Sequence, residues 1–405
     1  MTEKQIAVDY FCEPDKIDEN AKAQLDQYSK MPGLEKLCAF PDIHFCDEKA
    51  IPVGVAFSTR GIFYPLVTGK DVGCGVGYAR IGKKYLLKPF DKSKHYNALE
   101  RAHRDMTDEG LGGGNHFLSL EEDDEYLYVI CHTGTRNRGI ALYQEGYQMV
   151  KEYSNEIGEE VKYVSWEWMR EKHPEYLMSV LRIPDYATKR RADFVFKTIT
   201  FLQKNGYLEN TKPIEKDYLS RDYWIKSIMD EYHPDLGIPG KEWLPKTKRT
   251  PIEINGIPYE WHDSMHNHLE FKEDGSIIHR KGSTEINPGD EVAIPLSMTR
   301  GTLIVKVHPF HDITGALNSC SHGAGRKLSR FDSMKHWRTV LKAKERKAYE
   351  ERFSELLDKS GKFPSGYLQE FDYAYKDSSD ILTMQPYLRK VTQTIPIVTI
   401  KYTEI

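Results

Sequence analysis

Residues 52–82 read PVGVAFSTRGIFYPLVTGKDVGCGVGYARIG. Three short apolar runs, PVGVAF, IFYPLV and VGYARI, alternate with the glycine-containing turns TRG and GKDVGCG, which predicts strands joined tightly. The same pattern returns after Pro251 in EVAIPLS and TLIVKV, and the β-branched content of the terminal TIPIVTIKY predicts a buried strand. Between these, YLYVICH at 126–132 feeds the polar turn TGTRNRG, and ALYQEGYQMVKEYSNEI then has helical spacing, so the turn is a strand-to-helix corner. A helix is expected around ATKRRADFVFKTITFLQKNG, residues 187–206, and a long charged one from about Met334 to Lys359. Residues 150–250 are otherwise the least informative third and read as a helical insertion in one α+β catalytic unit spanning 1–405, since the chemistry-bearing motifs run from 42 to 401.

Composition narrows the class. In 405 residues, 39% are hydrophobic and 12% aromatic, enough for a large core, while 29% are charged. No apolar run approaches the roughly 20 residues needed to span a bilayer, and MTEKQIAVDYF lacks the regions of a signal peptide, so a cytoplasmic location without membrane contact is expected. The six cysteines form no CxxC pair and are expected to be reduced thiols. A net charge of -4 supplies no global attraction to nucleic acid, so any RNA binding must come from local patches.

Five segments set potential metal ligands beside turn residues: PDIH (Asp42, His44), KDVGC (Asp71, Cys74), GGGNH (Asn115, His116), CHTGTR (His132) and MHNH (His266, His268). Each alone is weak, because a lone histidine or cysteine is more often a packed residue. Together they supply the carboxylate, thiolate and imidazole groups that bind first-row divalent ions. HGAGR at 322–326 joins a nucleophile-capable imidazole to small residues whose backbone N–H groups can approach phosphate, with Arg326 able to bind bidentately. HRKGST at 279–284 and SMTRGT at 297–302 have similar character, although any one of them alone reads as an ordinary polar turn.

Taken in order, PDIH, the D-x-x-C of DVGCGV, GNHF, H-x-G-x-R, HN, HRKG, SM, HGAGR and a lysine in the last strand resemble the RtcB family of RNA ligases. The resemblance implies mixed and antiparallel sheets with surrounding helices and a central cleft. It implies two manganese ions, with Cys74 bridging, Asp71 and His116 on one, and His132 and His266 on the other. His322 would be the nucleophile that becomes linked to GMP, with Arg326 and Asp42 assisting. GTP would be held by Asn115, His116, Phe117, Leu118, Ser119, His266, Asn267, Pro295, Leu296, Ser297, Met298, Thr302, His322, Gly323, Ala324, Gly325 and Lys401. The implied activity joins RNA 3'-phosphate or 2',3'-cyclic phosphate ends to 5'-hydroxyl ends in tRNA splicing or RNA repair, and the resemblance implies a monomer with an archease-like activator as a candidate partner. Manganese rests on the resemblance alone, since these ligands would suit zinc.

The chain departs from that pattern at particular positions. Ser119 stands where the family usually has a carboxylate that reads guanine, which predicts looser discrimination against ATP, unless Glu121 or Glu122 moves into the place. PLSMT replaces the family's PGSMG, and HTGTRNRG its HSGSRG, which marks a divergent member. Basic residues that could hold RNA include Lys189, Arg190 and Arg191 and the series from Arg326 through Lys327, Arg330, Lys335, Arg338, Lys342, Lys344 and Arg346 to Lys347, with contact favoured only nearest His322. His95 and His173, outside every motif, should be dispensable. The competing readings are a metal-dependent phosphoesterase or nuclease, which needs no covalent histidine, and a non-catalytic RNA-binding relative.

Overall fold

A computed structural model describes residues 5–45, 51–104, 110–210, 250–254 and 256–401. Six strands form its central sheet in the order Ile395–Ile400, Phe117–Glu122, Tyr126–Thr133, Gly75–Gly82, Ile257–Met265 and Thr250–Ile254, with all neighbours antiparallel. A five-stranded sheet runs Val8–Tyr10, Leu34–His44, Val53–Arg60, Ser276–Lys281 and Asn267–Phe271, its first pair parallel and the rest antiparallel. Glu291–Ser297, Gly301–Val307 and Leu388–Gln393 make a third sheet. With helices around these sheets, the architecture is the α+β class expected.

Strand alternation divides the core between the two faces of the central sheet. Ala79, Ile81, Leu118, Leu120, Leu127, Val129 and Cys131 pack with Phe194, Val195, Ile199 and Leu202 of the helix Pro174–Lys204. Val76, Tyr78, Tyr128 and Ile130 turn the other way and meet Ala293 and Ile304 of the three-stranded sheet. Both faces are apolar and differently shaped, so a one-residue slip would bury the wrong side chains on each, which fixes the register. That register decides which side chains of Phe117–Glu122 and Tyr126–Thr133 reach the cavity described below.

Three expectations need correction. Of IFYPLV only Ile62–Phe63 is a strand, because Pro65 has no amide to donate and residues 65–70 turn toward the KDVGC segment. The helix expected from Ala187 begins at Pro174, a residue suited to a helix's first turn, and its buried stripe of Tyr176, Leu177, Val180 and Leu181 carries it through the interior Pro184. The long charged helix is two helices, Arg330–Thr339 and Ala343–Arg352. The Lys342 amide donates to the Glu345 carboxylate at 2.7 Å, which caps a fresh helix start in mid-segment.

Trp337 and Tyr349, one from each of those helices, pack together at 5.8 Å between ring centroids, and both rings meet Phe371. Among the described residues no helix is long and apolar enough to cross a membrane. The described cysteines, Cys12, Cys38, Cys74, Cys131 and Cys320, are buried free thiols. Most of the final third of the expected insertion, residues 211–249, lies outside the described residues.

Candidate active site

His266 is the single residue between Met265, which ends a strand of the central sheet, and Asn267, which opens a strand of the five-stranded sheet. Crossing between sheets there aims its ring at two other motifs. Cys74 lies just ahead of Gly75–Gly82, His132 lies in Tyr126–Thr133, and these strands pair so that Val76 stands opposite His132. Cys74 Sγ is 3.2 Å from His132 Nε2 and 3.3 Å from His116 Nε2, and the Nε2 atoms of His132 and His266 are 3.3 Å apart. Asp71 Oδ2 lies 2.6 Å from His116 Nε2.

Two ligand groups result, Cys74 with His132 and His266, and Asp71 with Cys74 and His116, each with ligand atoms within 4.8 Å of one another and Cys74 common to both. The residues fit a pair of divalent ions. Asp71 Oδ1 and His116 Nδ1 are buried without a hydrogen-bond partner among the described residues, and His132 donates from Nδ1 to the Asn115 carbonyl at 3.0 Å, leaving Nε2 bare toward Cys74. Burial first, then neighbouring histidines, pushes the His132 and His266 pKa values well below the usual range, so both rings are neutral, the form in which an imidazole can hold a metal. Burial and the Asp71 charge push the Cys74 thiol well up. Burial also raises Asp71, but the adjacent His116 and His132 outweigh it and hold the carboxyl below the ordinary range.

The close approach depends on small residues and on a buried support. A Cβ on Gly134 would lie 2.0 Å from Asp71 Oδ1, so the HTGTR turn must have glycine there. Arg191, on the helix Pro174–Lys204, is fully buried and binds the Asp263 carboxylate through Nε at 2.5 Å and an NH2 nitrogen at 2.7 Å. Its remaining donor reaches the carbonyls of Gly73 at 2.9 Å and Thr133 at 3.0 Å, each next in sequence to a ligand. The residue offered as an RNA contact therefore braces the ligand-bearing turns from behind. Arg190, also buried, donates to the Gly110 carbonyl at 2.6 Å, so of the three basic residues only Lys189 is exposed.

Beside the ligands, the His322 and His266 rings lie 4.6 Å apart. Asp42 is buried, and its Oδ2 accepts from the His322 amide at 2.9 Å, the Gly323 amide at 3.2 Å and His322 Nδ1 at 2.5 Å. A carboxylate only accepts, so Nδ1 carries a proton, and in the neutral ring the lone pair is on Nε2. Gly325, at φ +71°, rests on the Asp42 backbone, where a Cβ would lie 2.6 Å from Asp42 Cα.

A cavity of about 560 Å3 extends from these groups. Asp71, Cys74, Asn115, Phe117, His132, His266, Asn267, Pro295, Leu296, Ser297, Met298, Thr302, His322, Gly323, Ala324, Gly325, Arg326 and Lys401 line it, so the structure brings most of the expected residues together. His116 and Asp42 are reached through their contacts with Asp71 and His322. Leu118 does not reach the cavity, because alternation turns its side chain into the helix-side core. Ser119 shares the face of Phe117 but is not in the lining; its hydroxyl donates at 2.7 Å to Glu121, which is.

Glu121 is buried, also accepts from Thr394, and has its pKa raised by burial against those hydrogen bonds. Lys401 faces Glu370 at 2.8 Å, and burial lowers its pKa against the pull of that carboxylate. Glu370 and Tyr375 line the cavity as well and hold Arg326, whose guanidinium lies 3.6 Å from Glu370 and 5.1 Å over the Tyr375 ring. The sequence reading passed over both. The signal was the run EFDYAYKD at 370–377, polar and aromatic residues that no surface helix needs.

Of the basic series, Arg326 and Arg330 line the cavity, whereas Arg346 donates to the Trp337 and Arg338 carbonyls and Lys347 pairs with Glu351. His95 contacts the Tyr207 hydroxyl and His173 lies 3.5 Å from Glu152, and neither lines the cavity.

Comparison with known proteins agrees with the resemblance. Residues 242–402 match the family model described as tRNA-splicing ligase RtcB. Over 94% of its length the chain is 22% identical to RNA-splicing ligase RtcB1 of Escherichia coli, covering 93% of that protein. It is likewise 22% identical to RNA-splicing ligase RtcB of Escherichia coli strain K12, over 94% of the chain and 93% of the relative. A shorter match, 26% identical over 162 residues, covers 32% of the chain and 42% of RNA-splicing ligase RtcB2 of Escherichia coli.

Proposed function

We propose that this chain, a divergent relative of the RtcB ligases, is an RNA ligase that joins a 3'-phosphate or 2',3'-cyclic phosphate end to a 5'-hydroxyl end through a histidine-GMP intermediate. The observation that carries the reading is His322: its Nδ1 is held by a buried carboxylate, so its nucleophilic Nε2 stands beside a paired ligand cluster at the wall of a nucleotide-sized cavity.

Asp71, Cys74 and His116 would hold one divalent ion and Cys74, His132 and His266 the other, manganese by the family's example. Bound there, the ions supply Lewis-acid neutralisation of charge on phosphoryl oxygens. His322 Nε2 forms a bond to the α-phosphorus of GTP as the bond to pyrophosphate breaks, and Asp42 accepts the hydrogen bond of the Nδ1 proton while positive charge develops on the ring. Arg326 lies where it can bind the phosphate, steadied by Glu370 and Tyr375. The RNA 3'-phosphate, released from a cyclic phosphate by hydrolysis where needed, then attacks this phosphoramidate and takes the GMP, restoring His322. The 5'-hydroxyl finally displaces GMP to make the phosphodiester.

Base recognition falls to Glu121 rather than Ser119. Two hydroxyls satisfy part of the carboxylate, and its remaining lone pairs can accept from the N1 and N2 hydrogens of guanine. This replaces the expected loss of discrimination with a retained preference for GTP. Incubation with α-labelled GTP and manganese, followed by mass mapping, tests the whole reading. Label on His322 is expected; RNA phosphate release without label would favour the phosphoesterase instead.

A further inference from the structure

The strand Leu34–His44 keeps one register with its neighbour from Lys36 to Ala39 and shifts register again before His44, so the backbone around Asp42 lies outside the ladder. A side chain from far along the sequence meets it. Lys376 donates from Nζ to the Ile43 carbonyl at 2.6 Å and the Pro41 carbonyl at 3.2 Å, the peptide oxygens on either side of Asp42. Its own amide donates to the Gly325 carbonyl at 3.0 Å, inside the loop that carries His322. One residue therefore ties the carboxylate's backbone to the nucleophile's loop, and it does so from behind, since Tyr375 lines the cavity and Lys376 does not.

We propose that Lys376 is a positioning residue for the nucleophile: its ammonium clamps the carbonyls of the residues before and after Asp42 and so fixes the carboxylate that orients His322. The inference rests on the reading of His322 as the residue that takes GMP. Taking an ammonium even partly out of water is costly unless its donors find partners. Here the half-buried ammonium gives two of its three donors to backbone oxygens that the sheet has left open. The Asp42 carboxylate in turn accepts three bonds through one oxygen, an arrangement sensitive to a few tenths of an ångström in the Asp42 backbone.

The test is single-turnover labelling of His322 with α-labelled GTP and manganese. Lys376→Met should slow the step at saturating GTP by roughly 10- to 100-fold, the loss typical of removing a group that orients a functional side chain. The KM for GTP and the bound-metal count should stay at wild-type values, a split that general loosening of the fold would not produce. Lys376→Arg, which can donate to both carbonyls, should recover most of the rate. In an Asp42→Asn background the further change to methionine should cost no more than about twofold, because the route of its action is already broken.

Wild-type labelling by Lys376→Met, or an equal fold-loss with and without Asp42, overturns the proposal. Should Lys376→Met fail to fold, Lys376→Gln, which keeps one donor, is judged on the same rates. Absence of label in the wild-type protein would sink the ligase reading itself and this inference with it, whereas normal wild-type labelling with an unaffected Lys376→Met sinks this inference alone.

Discussion

At one end of the cavity Asp71, Cys74, His116, His132 and His266 form a cluster in which each lies within 3.3 Å of a neighbour. At the other, Glu121 accepts from Ser119 and Thr394, and Lys401 pairs with Glu370. The first end gathers a carboxylate, a thiol and three imidazoles whose ligand atoms lie close enough to hold a metal ion. The base end is already balanced, cation against carboxylate and carboxylate against hydroxyl, so it is shaped for a neutral polar edge. On the proposed function, the difference teaches that one end must be loaded to work, while the other works by what is already in place.

Breaking the metal end should have the largest effect. Cys74→Ser should lower the metal count and abolish labelling, since a serine hydroxyl is a poor bridge at neutral pH, and His322→Ala should abolish labelling while metal content stays. Metal analysis beside the labelling assay separates the two, and activity in Cys74→Ser would refute the shared ligand. Next comes the brace. Arg191→Met strands the buried Asp263 and should destabilise the fold by about 3–5 kcal/mol, whereas adding Asp263→Leu should recover much of that, as read from denaturant unfolding.

The base end should respond in selectivity rather than in total. Glu121→Gln should cut the GTP over ATP labelling ratio by roughly 10- to 100-fold, the equivalent of ~1.5–3 kcal/mol for a charged acceptor. Removing the neighbouring hydroxyl, Ser119→Ala, should do less. Equal loss from both would mean that Glu121 does not read the base alone.

A smaller effect comes from a histidine that is buried and neutral like the ligands but has no chemical task. His279 stacks on Phe57 at 4.6 Å, and burial brings its pKa down to about 3. The unfolded ring takes a proton near 6.5 and the folded one does not, so its share of stability is intact above that pH and falls as pH drops from there toward 3. The loss is about 1.4 kcal/mol at pH 5.5. Unfolding curves at pH 7.5 and 5.5 should show His279→Gln losing that much less than wild type. Smallest of all, His95→Ala and His173→Ala should leave labelling unchanged, and a large loss in either would mean that the cavity is not where the chemistry happens.

How much of this could be read from the residues differs between the same two ends. The ligands and His322 stand in short motifs because a metal or phosphate needs particular atoms beside turns that bring backbone close, and such needs leave local marks such as DVGC and HGAGR. Glu121 was legible only as a neighbour of Ser119, since which of them reaches the cavity depends on the register with Thr399 and Ile130 and on a hydrogen bond between them. Arg191 was misread for a related cause: a basic triplet on a helix looks solvated until the opposing Asp263 is known.

By itself the sequence determined the α+β class, the strand-rich arrangement of the motifs, the candidate ligands and a nucleophile-capable histidine, because strand periodicity, turn glycines and the chemistry of metal and phosphate binding act over a few residues at a time. Only the tertiary structure decided that Glu121 rather than Ser119 lines the cavity, that the charged segment after Arg330 is two helices, and that Arg191 and Lys376 brace the site from behind. Those outcomes turn on burial and on partners 72 residues apart for Arg191 and Asp263, and 333 apart for Lys376 and Ile43. A charged or polar side chain goes wherever its partner is, and the chain supplies that partner only after folding.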